Sequence, residues 1–86
     1  MNTTHIEYFL ILCEELNFTR AAKKCGVTQP TISLAVRGLE AELGGLLFNR
    51  QDVQLTSMGK AVRPHLHEML LNLAQARKVA LRESRK

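Results

Sequence analysis

Eighty-six residues, 45% of them hydrophobic, allow one small domain whose core is only marginally stable by itself. Twelve Lys and Arg against eight Asp and Glu leave a net charge of +4, which suits a polyanionic partner. Cys13 and Cys25, twelve apart, give no disulfide framework and no zinc spacing, and no apolar run of about 18 residues is present to span a bilayer.

The charge is uneven. Residues 1–19 hold three glutamates and neither Lys nor Arg, and Arg20, Lys23 and Lys24 then open a basic stretch. Both cysteines fall at apolar-periodic positions, so buried, reduced thiols in a cytoplasmic protein are expected. The start, MNTTHIEYF, lacks the basic flank of a signal peptide.

In chain order, residues 4–16 are predicted as a first helix. Ile6, Phe9, Leu10, Cys13 and Leu16 recur at steps of three and four and share one face. Asn17 ends it. Thr19 is predicted to cap a short second helix, RAAKKC, which Gly26 closes. Val27 lies in the turn, Thr28 caps a third helix, and Pro30 fits its first turn. Gly44 and Gly45 stop that helix. Two helices joined by a short turn containing glycine match a helix-turn-helix.

Leu47-Phe48 and Val53–Leu55 follow as short strands around a turn at Gln51-Asp52, which makes a wing. Thr56 is predicted to cap a final helix over 57–84, roughly 40 Å long, with a local kink at Pro64. Val62, Leu66, Met69, Leu73, Ala76 and Ala80 repeat at alternating steps of four and three, a heptad seam suited to dimerisation. Leu70 and Leu81 widen it. The expected fold is mainly α: a winged helix-turn-helix over residues 1–56, followed by a long C-terminal helix over 57–86 suited to dimerisation.

The third helix carries the functional signal. At about 100° per residue, Ile32, Val36, Leu39 and Leu43 form a core stripe, and Leu34 points almost opposite, with Pro30, Arg37 and Ala41 on its side. Gln29 and Ser33 project from the helix start. In a major groove, a Gln amide pairs with adenine, an Arg with guanine or phosphate, and an apolar group with a thymine methyl. Free N–H groups at the helix start suit a phosphate. A solvated face with one exposed leucine is the plain alternative.

Phe18–Ala22 (FTRAA), Thr28–Ser33 (TQPTIS), Leu39-Glu40 with Glu42–Gly44, Leu47-Phe48 with Arg50, and Leu55-Thr56 with Gly59 stand in one order. Together they resemble the N-terminal domain of LysR-type transcriptional regulators, from about Ile6 to past Pro64. The resemblance implies a winged helix-turn-helix that dimerises through antiparallel linker helices and reads two major grooves of a pseudo-palindromic operator. It also implies an effector domain beyond a linker helix, so the chain is expected to be part of a longer protein. Carried over by position, Gln29, Pro30 and Ser33 would approach bases, and Thr19, Arg20, Thr31 and Arg50 would hold phosphates. Thr28, Leu34 and Arg37 complete the candidate set.

The chain departs from that family in three places. Many members carry Arg where Leu34 stands and a basic residue where Gly38 stands. The wing is about two residues shorter and reads Gln51-Asp52 where basic residues are common, which shifts recognition towards the helix.

His65 and His67 point about 200° apart on a helix and cannot share a metal. Glu14-Glu15 and Glu40 with Glu42 read as exposed helix charges. No catalytic constellation, metal site or cofactor site is found, so an enzyme is not expected. The rival reading is a protein-interaction or dimerisation module on a helix-turn-helix fold that does not bind DNA, which Leu34 and Asp52 favour.

Overall fold

The computed structural model describes residues 1–85. Among them the elements follow as α1 (Thr3–Glu15), α2 (Phe18–Cys25), α3 (Gln29–Leu43), β1 (Phe48–Asn49), β2 (Gln54–Leu55) and α4 (Ser57–Ser84). This is the expected winged helix-turn-helix followed by a long helix.

α1 begins at Thr3 because Asn2 caps it. The Asn2 Oδ1 accepts from the N–H groups of Thr4 (2.8 Å) and His5 (3.3 Å). The helix ends a residue earlier than its apolar spacing suggests. Leu16 adopts a left-handed φ of 50° and donates its N–H to the Leu12 carbonyl. Leu16 is thereby turned out of the apolar face and exposed, and Leu12 is buried with Ile6, Phe9 and Cys13. Asn17, not Thr19, caps α2, accepting from the Arg20 N–H at 2.8 Å; Thr19 lies inside the first turn.

The core joins these buried α1 residues to Ala21 and Ala22 of α2, Ile32, Val36 and Leu39 of α3, and Leu47 and Phe48 before and in the wing. Phe9 and Phe48 meet edge to face, with centroids 5.7 Å apart and planes at 68°. Such a pair adds about 0.5–1.5 kcal/mol to the burial of its rings. Cys13 belongs to this core, and burial pushes its thiol up to about 11. It therefore stays protonated and unreactive near neutral pH. Cys25 is only half-buried, so the expectation of two buried thiols holds for Cys13 alone.

The strands are shifted by one residue from the expected Leu47-Phe48 and Val53–Leu55. Phe48 faces Leu55 and Asn49 faces Gln54. Val53 has a φ of 50° and belongs to the turn. Leu47 precedes the strand, and its carbonyl accepts from Thr56 N–H at 3.0 Å.

Thr56 caps α4 as expected, accepting from Gly59 N–H at 3.0 Å and donating to the Leu46 carbonyl. The helix runs through Pro64 to Ser84. Its first turns lie on the core. Gly59 and Leu66 are buried, and Val62 and Leu70 pack half-buried against the same cluster. Beyond Leu70, Leu73 is half-buried and residues 74–85 are exposed. A helix of 28 residues is roughly 42 Å long, which accounts for most of the 53 Å longest dimension.

Candidate nucleic-acid interface

The turn into α3 is set by its backbone bonds. Gly26 takes a φ of 70°, and its N–H reaches the Ala22 and Lys23 carbonyls. Val27 donates to the Ala22 carbonyl at 3.0 Å and packs half-buried on the core. This C-terminal arrangement needs a residue that tolerates a left-handed conformation, followed by an apolar one. It delivers Thr28 to the start of α3 in extended conformation.

Thr28 makes no side-chain bond to the backbone of α3. Its Oγ1 lies 3.0 Å from the Thr31 Oγ1 instead. Pro30 has no N–H, and among the described residues the Gln29 N–H has no partner. The positive end of the helix is thus open to an anion.

The face of α3 away from the core carries what periodicity expects. Ile32, Val36 and Leu39 are fully buried, and Leu43 is half-buried. Gln29, Pro30, Thr31 and Arg37 are exposed, Ser33 is half-buried, and Leu34 is 65% exposed. Among the described residues the side chains of Gln29, Leu34 and Arg37 have no polar or ionic partner, so all three are available to a ligand. Gly38 is not demanded by packing. A Cβ there would meet only the His5 Nδ1, at 3.7 Å.

Cations near α3 are less free than the formal charge suggests. Arg20 places Nε 3.4 Å from Glu15 Oε1 and donates from Nη2 to the Glu15 carbonyl at 2.8 Å. Lys24 lies 3.4 Å from Glu15 and 3.5 Å from Glu14, and the hydrogen bond to Glu15 holds its ammonium above the usual lysine range. Both pairs are exposed and weak. Of the basic stretch, Lys23 alone has no such partner among the described residues.

One sequence reading fails where α3 meets the wing. Glu40 is not an exposed helix charge; it is 7% exposed and accepts from Leu47 N–H at 2.7 Å. Arg50, expected on a phosphate, pairs with this carboxylate, its Nη2 2.6 Å from Glu40 Oε1, and its side chain stays partly exposed. The two lie ten residues apart across two glycines, a separation with no periodic signal. The wing tip is left with exposed Gln51 and Asp52 and no unpaired cation.

The expected seam on α4 is also split. Val62, Leu66 and Leu70 pack on the chain's own core, Leu66 buried and the other two half-buried, so they offer a partner helix less than the heptad spacing suggests. Met69 (47% exposed), half-buried Leu73, and exposed Ala76 and Ala80 remain available, as does Leu81. His65 and His67 are exposed, and no group of three or more His, Cys, Asp or Glu among the described residues is placed to hold a metal. No described helix is long and apolar enough to cross a membrane.

Known proteins share both sequence and geometry with this chain. The chain is 34% identical over 87 residues to the HTH-type transcriptional regulator AlsR of Bacillus subtilis, a match covering 99% of this chain and 29% of AlsR. It is 39% identical over 79 residues to the regulator ShiR of Corynebacterium glutamicum, covering 90% and 27% of the two chains. The chain thus spans less than a third of the length of these two relatives. In the BenM_DBD/catB site 1 DNA complex, the protein superposes with a TM-score of 0.91 at 31% identity, covering 98% of this chain and 92% of that one. Full-length CbnR complexed with its target DNA gives a TM-score of 0.91 at 29% identity, over 99% of this chain and 29% of CbnR. Residues 3–60 match the family model described as bacterial regulatory helix-turn-helix protein, lysR family, and the chain belongs to that family.

Proposed function

We propose that this chain is the DNA-binding part of a bacterial transcriptional regulator, acting in the cytoplasm as a homodimer on a pseudo-palindromic duplex. The observation that carries the reading is the face of α3 opposite its core stripe. Gln29, Leu34 and Arg37 stand there exposed and unpartnered on a helix whose N-terminal end is open. Similarity to BenM and CbnR chains whose structures are DNA complexes supports it. Gln29, Pro30, Ser33 and Leu34 approach bases. Thr19, Arg20, Thr28, Thr31 and Arg37 meet the backbone, where Arg20 exchanges its weak contact with Glu15 for a phosphate. We assign no enzymatic activity and no cofactor. In the longer protein an effector domain follows α4.

The division of labour is residues 1–56 for DNA and residues 57–86 for dimerisation, with the first turns of α4 also completing the core. On the distal half of α4, Met69, Leu73, Ala76 and Ala80 form the seam that a second α4 covers. Helices this exposed gain stability chiefly from packing an apolar face.

Selection from a pool of random duplexes, followed by a salt titration on the selected sequence, tests the function. Each phosphate neutralised contributes a slope of about −0.9 to log K against log salt. A steep negative slope and an enriched two-fold sequence are expected. The rival protein-interaction reading is favoured by Asp52 and by the internally paired Arg50, Arg20 and Lys24. It predicts no enrichment and a flat slope.

Gln29→Ala is expected to weaken binding to the selected duplex and to relax preference at one base pair, because a bidentate amide–adenine pair discriminates by about 1–3 kcal/mol. Leu34→Ala costs less and is felt mainly where uracil replaces thymine, which removes the methyl. Both residues lie outside the core, so the thermal midpoint stays unchanged. Equal loss on selected and random duplexes for Gln29→Ala would move that residue from base to backbone contact.

A further inference from the structure

We propose that Glu40 and Arg50 are a positioning pair that fixes the wing on the end of α3, so that Arg50 serves sequence discrimination through geometry and not as a phosphate ligand. The assignment rests on the DNA-binding reading above and concerns how that surface is held.

Glu40 lies near the end of α3 with 7% of its surface exposed. A carboxylate so buried is costly unless its oxygens are satisfied. Here Oε2 accepts from Leu47 N–H (2.7 Å), Phe48 N–H (3.4 Å) and Arg50 Nη1 (3.3 Å), and Oε1 accepts from Arg50 Nη2 (2.6 Å). Its backbone carbonyl also receives the N–H groups of Gly44 and Gly45, at 2.9 and 3.1 Å. A single residue thus ties the end of α3, the entry to the hairpin and the side chain that begins the wing turn.

Arg50 gathers a third element. Its Nη1 also donates to the Phe48 carbonyl at 3.3 Å, and its guanidinium lies 5.7 Å from the ring of Phe18 at the start of α2. Thr19 and Arg20 follow directly in sequence. Both Nη atoms are committed, and the charge is already matched. To give up this pair for a phosphate, Arg50 would leave a nearly buried carboxylate with only the Leu47 and Phe48 N–H groups on it and no cation to match its charge, an unfavourable exchange. The hairpin needs this anchor, because it pairs only two residues on each strand, too few to hold an orientation. With no unpaired cation at its tip, the wing contributes through where it sits. A lysine cannot replace Arg50, since the planar fork spans both carboxylate oxygens and an ammonium does not.

The test measures affinity for a pool-selected duplex and a scrambled duplex of equal length, across a salt series, for the wild type, Arg50→Lys, Arg50→Gln, Glu40→Gln and the Arg50→Lys/Glu40→Gln double variant. Thermal midpoints are recorded alongside. Arg50→Lys keeps the charge, yet it is expected to cut the selected-to-scrambled ratio about tenfold with the salt slope unchanged. Glu40→Gln is expected to do the same, and the double variant to be no worse than either single one. Three results overturn the proposal. If Arg50→Lys discriminates like the wild type, and Arg50→Gln flattens the slope by about 0.9 for each site, Arg50 is a phosphate ligand. If both affinities fall by the same factor with a lowered thermal midpoint, the pair serves stability alone. If the wild type binds neither duplex, the DNA-binding reading itself fails and this assignment with it.

Discussion

Leu73→Asp is expected to convert a dimer to monomers and to weaken binding of a two-half-site duplex by about a hundredfold or more. Leu73 is half-buried within one chain and stands outside the cluster that forms the core. An aspartate there leaves the fold intact. In the proposed dimer the same position lies at the centre of the seam between Met69 and Ala76, and a carboxylate placed there is desolvated without a partner. Losing the dimer unlinks the half-sites, and linkage multiplies affinity by about 10²–10⁴. Leu66→Asp gives the contrasting result. With Leu66 only 4% exposed inside its own domain, that variant unfolds the protomer. Light scattering and circular dichroism together read both outcomes. A folded, intact Leu73→Asp dimer would place the interface on another surface.

Gly59→Ala is expected to lower the thermal midpoint by about 10 °C or more. Replacing glycine with alanine within a helix ordinarily stabilises by about 1 kcal/mol. Gly59 reverses that sign. A Cβ there would overlap the Leu47 carbonyl oxygen and come within 2.8 Å of the Leu55 Cδ2. The obstructing oxygen belongs to the backbone and already accepts from Thr56, so it cannot swing aside as a side chain would. Overpacking of this kind costs about 1–3 kcal/mol or more, and in a domain this small each kcal/mol moves the midpoint by about 4–8 °C. Gly38→Ala is the control, because its Cβ meets nothing closer than 3.7 Å and the ordinary helix gain applies. Thermal scans giving the two variants the same sign would remove the close approach of α4 to the wing as the reason for glycine at position 59.

Much of the exposed face of α3 was legible in the sequence, because helical periodicity is a local property. Once Gly26 and Gly44 bound α3, the spacing of Ile32, Val36 and Leu39 determines which face is buried, and Leu34 falls opposite with no tertiary information needed. The caps were partly legible for the same reason. Thr56 precedes α4 as read, whereas at α2 the choice between Asn17 and Thr19 turned on where α1 stopped. That in turn depended on Leu16 entering the left-handed region, to which a leucine gives no clue.

Tertiary structure alone decided the rest. Glu40 looks like its exposed neighbour Glu42 until the chain turns back at Gly44 and Gly45 and brings the amides of Leu47 and Phe48 and the guanidinium of Arg50 to one carboxylate. The heptad on α4 is continuous in sequence from Val62 to Ala80, yet the globular core ends near Leu70. The same stripe therefore packs inward over its first turns and faces outward beyond them. Periodicity reports that a face is apolar. Which surface covers it is set by where the other helices end, and a one-dimensional pattern does not contain that distance.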